Sequence, residues 1–419
     1  MITQIDGGVC AAKGFFANAI HVGVKTPSPD SIPIVPTESL QAKRDLAIIF
    51  CEKSCNTAAV YTTNKVKAAP ILVTQEHLAD GKAQAVIVNS GNANACTPNG
   101  RKIAEGMCRL AADALGIVSD EVVVASTGVI GKPMSIENWE LVVYHLAEKM
   151  QKGGSAAVAE AIMTTDTFPK ECAVTFTLGG QQCTIGAVAK GSGMINPNMA
   201  TMLCFITTDV NISQKLLVKA LHDVNADTFN MVCVDGDTST NDMVCIMASG
   251  LAGNEEIVDA KSEDYKNFAF LLYSVMRSLA RDVAKDGEGA TKLIECKVAG
   301  APDVVIARKI AKSVVSSNLV KAALGAADAN WGRILCAIGY TEGEFDIDDI
   351  KVAISSDKGT VVVCENGSAV QFSEEEATEV LSEPEITLNI DLKSGDASAT
   401  AYGCDLTEKY VQINANYRT

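Results

Sequence analysis

From Lys190 to Leu203 the chain reads Lys-Gly-Ser-Gly-Met-Ile-Asn-Pro-Asn-Met-Ala-Thr-Met-Leu: a lysine, a glycine-rich loop with a proline, and a threonine at the head of an apolar run. A surface loop before a buried strand has the same composition. The threonine becomes a reagent under one condition. If the Ala200–Thr201 bond breaks, Thr201 carries a free α-amino group beside its own hydroxyl. Such an amine has an ordinary pKa of about 7.7–8.0, close enough to working pH for general-base duty. Nucleophile and base then sit in one residue. The cut itself needs the Thr201 hydroxyl to attack the Ala200 carbonyl, and a small residue at 200 behind flexible glycines lets that carbonyl be strained into reach. The Gly191-x-Gly193 pair also hints at a dinucleotide loop. A third glycine is missing and the loop enters a strand, so no helix N-terminus is offered to a pyrophosphate.

Other chemistry finds little support. The four histidines (His21, His77, His145, His222) lie far apart with no H-x-x-x-H spacing, so zinc has no ligand set. Fourteen cysteines are scattered singly, the nearest pair being Cys51 and Cys55. Most lie in apolar stretches, as in MLCFI, MVCIM and ILCAI, and read as small buried hydrophobes in a reducing compartment. A net charge of −16 opposes nucleic-acid binding, which needs clustered cations, and suits a cationic small substrate. No run of eighteen uncharged apolar residues suggests a membrane span. The N-terminus lacks the basic and apolar regions of a secretory signal, so a cytoplasmic protein is expected.

These residues must be held by a framework of alternating helices and strands. Over 101–115, Ile103, Met107, Leu110, Ala111 and Leu115 fall near one helical face, and Gly116 ends it. Ser135 heads a second helix reaching Met150. Segments 172–178 and 182–189 read as strands around the Gly179-Gly180 turn. Strand 202–208 precedes a helix from Ser213 to about Phe229, and an amphipathic helix covers roughly 263–284, closed by Asp286-Gly287. After about residue 343 the pattern turns β-rich (IKVAISS, TVVVCE, EITLNIDL and the terminal EKYVQINANY). The fold class is α/β or α+β, with 419 residues and 47 % hydrophobic content sufficient for a substantial core.

The segment KGSGMINPNMATML closely resembles the self-processing segment of the ornithine acetyltransferase (glutamate N-acetyltransferase) family. The resemblance extends to GGVCAAKGFFANAIHVGVK (7–25), VNSGNANACT (88–97), STGVIGKP (126–133), MTTDTFPK (163–170), DGDTSTND (235–242), DGEGATK (286–292) and the terminal INANYRT. These blocks span the chain in the family's order. The departures are few: Cys10 and Ala11 replace other small residues, and Asn416 stands where an acidic residue is frequent.

The resemblance implies a layered αββα-type sandwich, shared with self-processing aminopeptidases, with a smaller β-rich C-terminal region. It implies cleavage into an α chain, 1–200, and a β chain, 201–419, which stay intertwined and pair as α2β2. Thr201 matches the nucleophile, and Thr127 and Gly128 match the oxyanion hole, where donors meet the tetrahedral oxygen. Thr164, Lys190, Thr201, Glu288, Asn414 and Thr419 match substrate-binding positions. One cation and one anion would orient an amino acid, Lys190 at its carboxylate and Glu288 at its ammonium. The implied reaction moves acetyl from N2-acetylornithine to glutamate by a ping-pong route without a cofactor, and acetyl-CoA is left open as a second donor. Two other readings share these residues: a self-processed N-terminal-nucleophile aminopeptidase, which would hydrolyse amides, and an unprocessed binding protein, which would remain one piece.

Overall fold

The computed structural model describes residues 2–25, 43–196 and 202–416, residue 416 as backbone alone. Ala200, Thr201 and Thr419 therefore lie outside the described residues. The first sheet contains β1 (Thr3–Ile5), β2 (Phe15–Ile20), β3 (Leu46–Tyr61), β4 (Lys82–Asn92), β5 (Val122–Val129), β6 (Lys170–Leu178), β7 (Gln181–Lys190), β8 (Leu203–Thr208) and β10 (Met243–Ala248). Its order is β1-β6-β7-β8-β10-β3-β4-β5, with β2 also on β3. Strand β3 is long enough to serve two partner sets. Its first half pairs with β2 and β4 and its second half with β10, and the β3–β4 register breaks between Phe50 and Cys55.

The two halves of this sheet enclose a common core. Ala47, Ile49, Val86, Val88, Val123 and Ala125 from one half cluster with Leu203, Phe205, Met243, Cys245 and Met247 from the other. Strand periodicity puts the alternate residues on the outer faces. Ile48, Ile87, Val122 and Val124 thus meet α2 (Gly100–Leu115) and α3 (Glu140–Glu148), which follow α1 (Ala69–His77). On the far side, Ile185, Ala187, Cys204, Ile206, Val244 and Ile246 meet α5 (Gln214–Ala226) and α6 (Glu263–Lys285); α4 (Ser155–Ala161) closes the inner core against β2. The layers read helix, sheet, sheet, helix, as expected of an α/β sandwich.

A second sheet covers the other side of α6. It holds β9 (Val232–Cys233), β11 (Leu293–Ala301), β12 (Lys351–Ser356), β13 (Gly359–Glu365), β14 (Ser368–Ala369), β15 (Glu385–Asp391) and β16 (Ala397–Cys404), in the order β14-β13-β12-β15-β11-β16-β9. Arg277 Nε donates to the buried Tyr402 hydroxyl at 3.0 Å, tying α6 to this sheet. The opposite face carries α7 (Val304–Ser316), admitted closely at Gly403, where a Cβ would stand 3.0 Å from that of Val315. Helices α8 (Asn318–Gly325), α9 (Trp331–Gly339), α10 (Glu374–Leu381) and α11 (Glu408–Asn416) complete the chain.

Local sequence accounts for the best-defined ends. The Ser262 hydroxyl accepts the Tyr265 N–H at 3.1 Å, and Glu263 and Asp264 occupy the first turn of α6, where the helix dipole favours anions. Gly116, at φ 69°, ends α2 in the left-handed conformation that glycine adopts without cost. Eleven of the fourteen cysteines are buried, consistent with their reading as small hydrophobes, and burial pushes the Cys245 thiol up to about 12. Among the described residues no helix is long and apolar enough to cross a membrane.

Two expectations are corrected. Within EKYVQINANY, read as β-rich, Glu408–Asn416 forms α11: the alternation of Val411 and Ile413 mimics a strand, but Tyr410 and Asn414 share a helical face four residues apart and both find partners. The helix headed by Ser135 begins only at Glu140, because Ser135 instead accepts the Glu137 N–H in a turn. The stretch after about 343 supplies β12 to β16, and β15 and β16 both pair with β11, which lies before it.

Candidate active site

One cleft gathers Thr127, Gly128, Thr164, Lys190, Glu288 and Asn414, the six resemblance-derived site residues that lie within the described chain. Met202, the residue before β8, also lines it, together with Gly193, Met194, Ser239, Asn241 and Asp242. The contributing elements are the ends of β5 and β7, the start of β10, the turn after α6, and α11. Strand ends are where a layered fold can bring distant residues together without disturbing its core.

The Thr127–Gly128 corner is set by the parallel β4–β5 pair. Gly91 lies opposite Gly128, and Asn92 then faces both Thr127 and Val129, a bulge that ends the ladder. Gly128 has φ 130°, and a Cβ there would stand 2.4 Å from the Gly91 carbonyl carbon and 2.5 Å from the Asn92 nitrogen. Only glycine fits. Asn241 clamps the corner from β10's side by donating to Ala93 O at 2.6 Å and Ser126 O at 2.9 Å. Its amide is thereby committed to the backbone.

The cationic wall is Lys190, the last residue of β7, buried to 7 % exposure. Its ammonium donates to Thr164 Oγ1 at 2.8 Å and lies 3.8 Å from Asp166 Oδ2. Asp166 also accepts the Gly191 N–H at 2.7 Å, the Thr164 N–H at 3.0 Å and the Lys170 ammonium at 2.9 Å. Burial opposes its ionisation, but Lys190 and Lys170 prevail and hold its carboxyl well below the usual carboxylate range. Lys170 in turn donates to Asp286 at 2.5 Å, so a fully buried acid–base–acid chain underlies the floor.

The anionic wall is Glu288, in the turn after α6. Asn414 Nδ2 on α11 donates to its Oε2 at 2.7 Å. The Glu288 N–H donates to Ser192 O at 3.1 Å, while Ser192 Oγ donates to Asp286 O at 2.7 Å, so loop 191–193 and turn 286–288 lace together. Gly193 packs closely against this turn: a Cβ there would come within 2.3 Å of the Glu288 carboxyl and push that side chain aside. Farther along, Asp235 accepts the Met194 and Ile195 N–H groups at 2.6 and 2.9 Å and the Tyr410 hydroxyl at 3.3 Å. The loop leading toward Thr201 is therefore pinned by Asp166, Asp235 and Asp286.

Sequence reading missed these three aspartates, Asn241 and Asp242. The signal was present, because each falls inside a block quoted for the resemblance, but residue type alone does not separate an acid that meets substrate from one that holds a loop. Lys190 and Glu288 both line this cleft.

Fold and cleft define the class: a layered α/β enzyme with a polar cleft that joins a glycine corner to a lysine and a glutamate. A family model described as the ArgJ family matches residues 35–419. Proteins named arginine biosynthesis bifunctional protein ArgJ are 46 % identical over 416 residues in Caldanaerobacter subterraneus subsp. tengcongensis and 47 % identical over 416 residues in Symbiobacterium thermophilum, each alignment covering 99 % of both chains. Among solved structures, the Bacillus halodurans ArgJ protein is 48 % identical over 52 % of this chain and 100 % of its own, with a TM-score of 0.49. Ornithine acetyltransferase from Mycobacterium tuberculosis, solved with ornithine, is 34 % identical over 48 % of this chain and 100 % of its own, with a TM-score of 0.40. The chain belongs to the ArgJ family and is an acyltransferase of arginine biosynthesis.

Proposed function

We propose that the enzyme transfers acetyl from N2-acetylornithine to glutamate through an acetyl ester on Thr201, after cutting its own chain between Ala200 and Thr201. The observation that carries this reading is the meeting, in the cleft that Met202 lines, of six residues from five separate sequence blocks. In the first half-reaction the Thr201 hydroxyl attacks the acetyl carbonyl and its proton passes to the α-amine. The tetrahedral oxygen is held at Thr127–Gly128. The Thr201 α-amine passes that proton to the departing nitrogen as the acetyl C–N bond breaks, ornithine leaves, and the acetyl group stays on Thr201 Oγ. In the second half the glutamate amine attacks that ester and Thr201 is regenerated.

Lys190 and Thr164 bind the substrate α-carboxylate, and Glu288, with Asn414 and Thr419, binds the side-chain ammonium of ornithine. That assignment matches a donor with one carboxylate and one ammonium and uses the opposite charges of Lys190 and Glu288. Acetyl is conserved through the cycle, so the transfer calls for no cofactor; acetyl-CoA as an alternative donor is a separate property, scored by N-acetylglutamate formation with acetyl-CoA alone. The processed halves, 1–200 and 201–419, remain joined because strands from both complete the first sheet, and two such pairs form α2β2 in the cytoplasm.

Denaturing electrophoresis with N-terminal sequencing tests the core of this. Wild type should give two bands, one beginning Thr-Met-Leu-Cys, and Thr201→Ala should give one. An uncut wild-type chain that still transfers acetyl would defeat the mechanism. Glu288→Gln should raise KM for N2-acetylornithine roughly tenfold or more, the loss expected of a charge-assisted contact; unchanged affinity for both amino acids would remove Glu288 from ammonium binding.

A further inference from the structure

No residue of the block 7–25 lines the cleft, yet the block ends on a lysine that comes close to it. Lys25 lines a second pocket of about 520 Å³ with Lys43, Gly91, Val129, Glu160 and Thr164. That volume falls within the roughly 300–1,000 Å³ of small-molecule sites. Thr164 lines the cleft as well. Gly91 and Val129 belong to the end of the β4–β5 ladder, where Gly91 lies opposite Gly128. The second pocket therefore adjoins the cleft at Thr164 and at the glycine corner.

The chain holds Lys25 in place through its backbone. The buried Asp45 carboxylate accepts the N–H groups of Val22, Val24 and Lys25 at 2.6, 2.7 and 3.0 Å. Gly91 lets that turn lie against the strand end, since a Cβ there would stand 2.9 Å from the Lys25 nitrogen. The Lys25 ammonium donates to Arg44 O at 2.8 Å and Ala161 O at 3.0 Å. An ammonium has three donors, and among the described residues these two carbonyls take two of them. The acids around it already have partners: Asp45 has those amides, Asp166 has Lys170 and Lys190, and Glu160 has Arg44. Lys25 and the exposed Lys43 thus leave the pocket cationic. Burial pulls the Lys25 ammonium down to about 8; Asp45 and Asp166 oppose the fall, and Lys43 and Lys190 add to it. An incoming anion would favour its charged form.

The reaction presents two amino acids whose side chains carry opposite charges. Ornithine ends in an ammonium, which Glu288 suits. Glutamate ends in a carboxylate, which Glu288 would repel. The α-carboxylate is common to both and can remain at Lys190, but the second carboxylate of the acceptor needs a cation elsewhere. We propose that the pocket beside Thr164 takes the side-chain carboxylate of the amino acid that accepts acetyl, with the Lys25 ammonium as its partner. This rests on glutamate being that acceptor. Donor and acceptor then share the Lys190 contact and part at the side chain, ornithine's ammonium going to Glu288 and glutamate's carboxylate to Lys25. A charge-assisted bond selects glutamate over amino acids with neutral side chains, and the same lysine turns the ornithine ammonium away from the pocket.

The test uses the full-length enzyme with N2-acetylornithine as donor and compares two acceptors: glutamate, and isotopically labelled ornithine, whose exchange does not call on the pocket. Lys25→Met should raise KM for glutamate roughly 10- to 100-fold, the loss of a charge-assisted bond, and change the exchange less than about twofold. An unchanged KM for glutamate, or an equal loss in both reactions by a variant that melts like the wild type, would overturn the proposal. A second measurement needs no variant and decides the matter if Lys25→Met does not fold. Norvaline has glutamate's carbon chain with a methyl group in place of the carboxylate, so the ratio of kcat/KM for the two acceptors isolates what the carboxylate contributes. In the wild type that ratio should fall as pH rises past about 8, where Lys25 of the free enzyme loses its proton. A ratio that stays flat to about pH 10, the ordinary lysine range, would overturn the proposal too. If the wild type exchanges ornithine but leaves glutamate unacetylated, the acceptor assignment fails and the pocket fails with it; glutamate turnover indifferent to Lys25→Met sinks the pocket alone.

Discussion

Two buried acidic centres flank the cleft and are built in opposite ways. Under the Lys190 wall, Asp166 and Asp286 share Lys170 and accept backbone N–H groups from Thr164, Thr167 and Gly191. Beside β8, Asp242 is equally buried but keeps an oxygen without a partner among the described residues. Burial raises both carboxyls, and only at Asp166 do neighbouring lysines reverse the outcome. The lesson is that burial of an acid does not reveal its task. A saturated acid is committed to holding the loop, whereas an unsaturated one still has a bond to offer.

The comparison can be broken most severely at Lys170. Lys170→Met removes the shared cation and leaves two buried carboxylates, which should cost about 3–5 kcal/mol; urea unfolding that shows no loss would mean the network contributes nothing to stability. Next in size is the glycine corner. Gly128→Ala sets a Cβ against the Gly91–Asn92 backbone and should lower kcat/KM roughly 100- to 1,000-fold, the range for loss of an oxyanion donor. Wild-type kinetics would detach this corner from catalysis.

The pH response sharpens the contrast between the acids. Asp166 has a folded pKa below its unfolded value, so its contribution is fully present above about pH 4 and is lost as pH falls through the folded value. Asp242 in an uncut chain has the reverse shift. The folded state binds more protons, and stability falls as pH rises from about 4 through the raised folded pKa. In the uncut Thr201→Ala protein, Asp242→Asn should therefore gain about 1–3 kcal/mol near neutral pH and flatten that slope. Destabilisation would mean that the groups around the Asp242 carboxyl already satisfy it. Smallest is Asn414→Ala, which removes one hydrogen bond to Glu288 and should raise KM for N2-acetylornithine by no more than about tenfold; a larger loss would make Asn414 a direct substrate contact.

Much of the framework was legible in sequence because it follows from local rules. The face of α2, the Gly116 stop, the β6–β7 hairpin and the amphipathic α6 all appear where periodicity and capping put them. The tail was misread because Val411 and Ile413 alternate like a strand; its helical face becomes evident only when Tyr410 meets Asp235 and Asn414 meets Glu288. The residues that gather in the cleft were picked out through the blocks that carry the resemblance, since Lys190 and Glu288 taken alone read as solvated charges. Their burial at 7 % and 8 % exposure comes from the fold.

Sequence by itself determined the elements, the family and a small set of reactive residue types, because helix faces, turns and motifs are written in residues close together along the chain. Tertiary structure decided which acids are satisfied and which is left open. Asp166, Asp242 and Asp286 are the same side chain, and what distinguishes them is the partners brought from distant positions (Asp286, for example, meets Thr167 and Lys170 across 119 and 116 residues). Pairing across such distances depends on how strands stack and cross, and that three-dimensional arrangement gives each carboxyl its charge and its role.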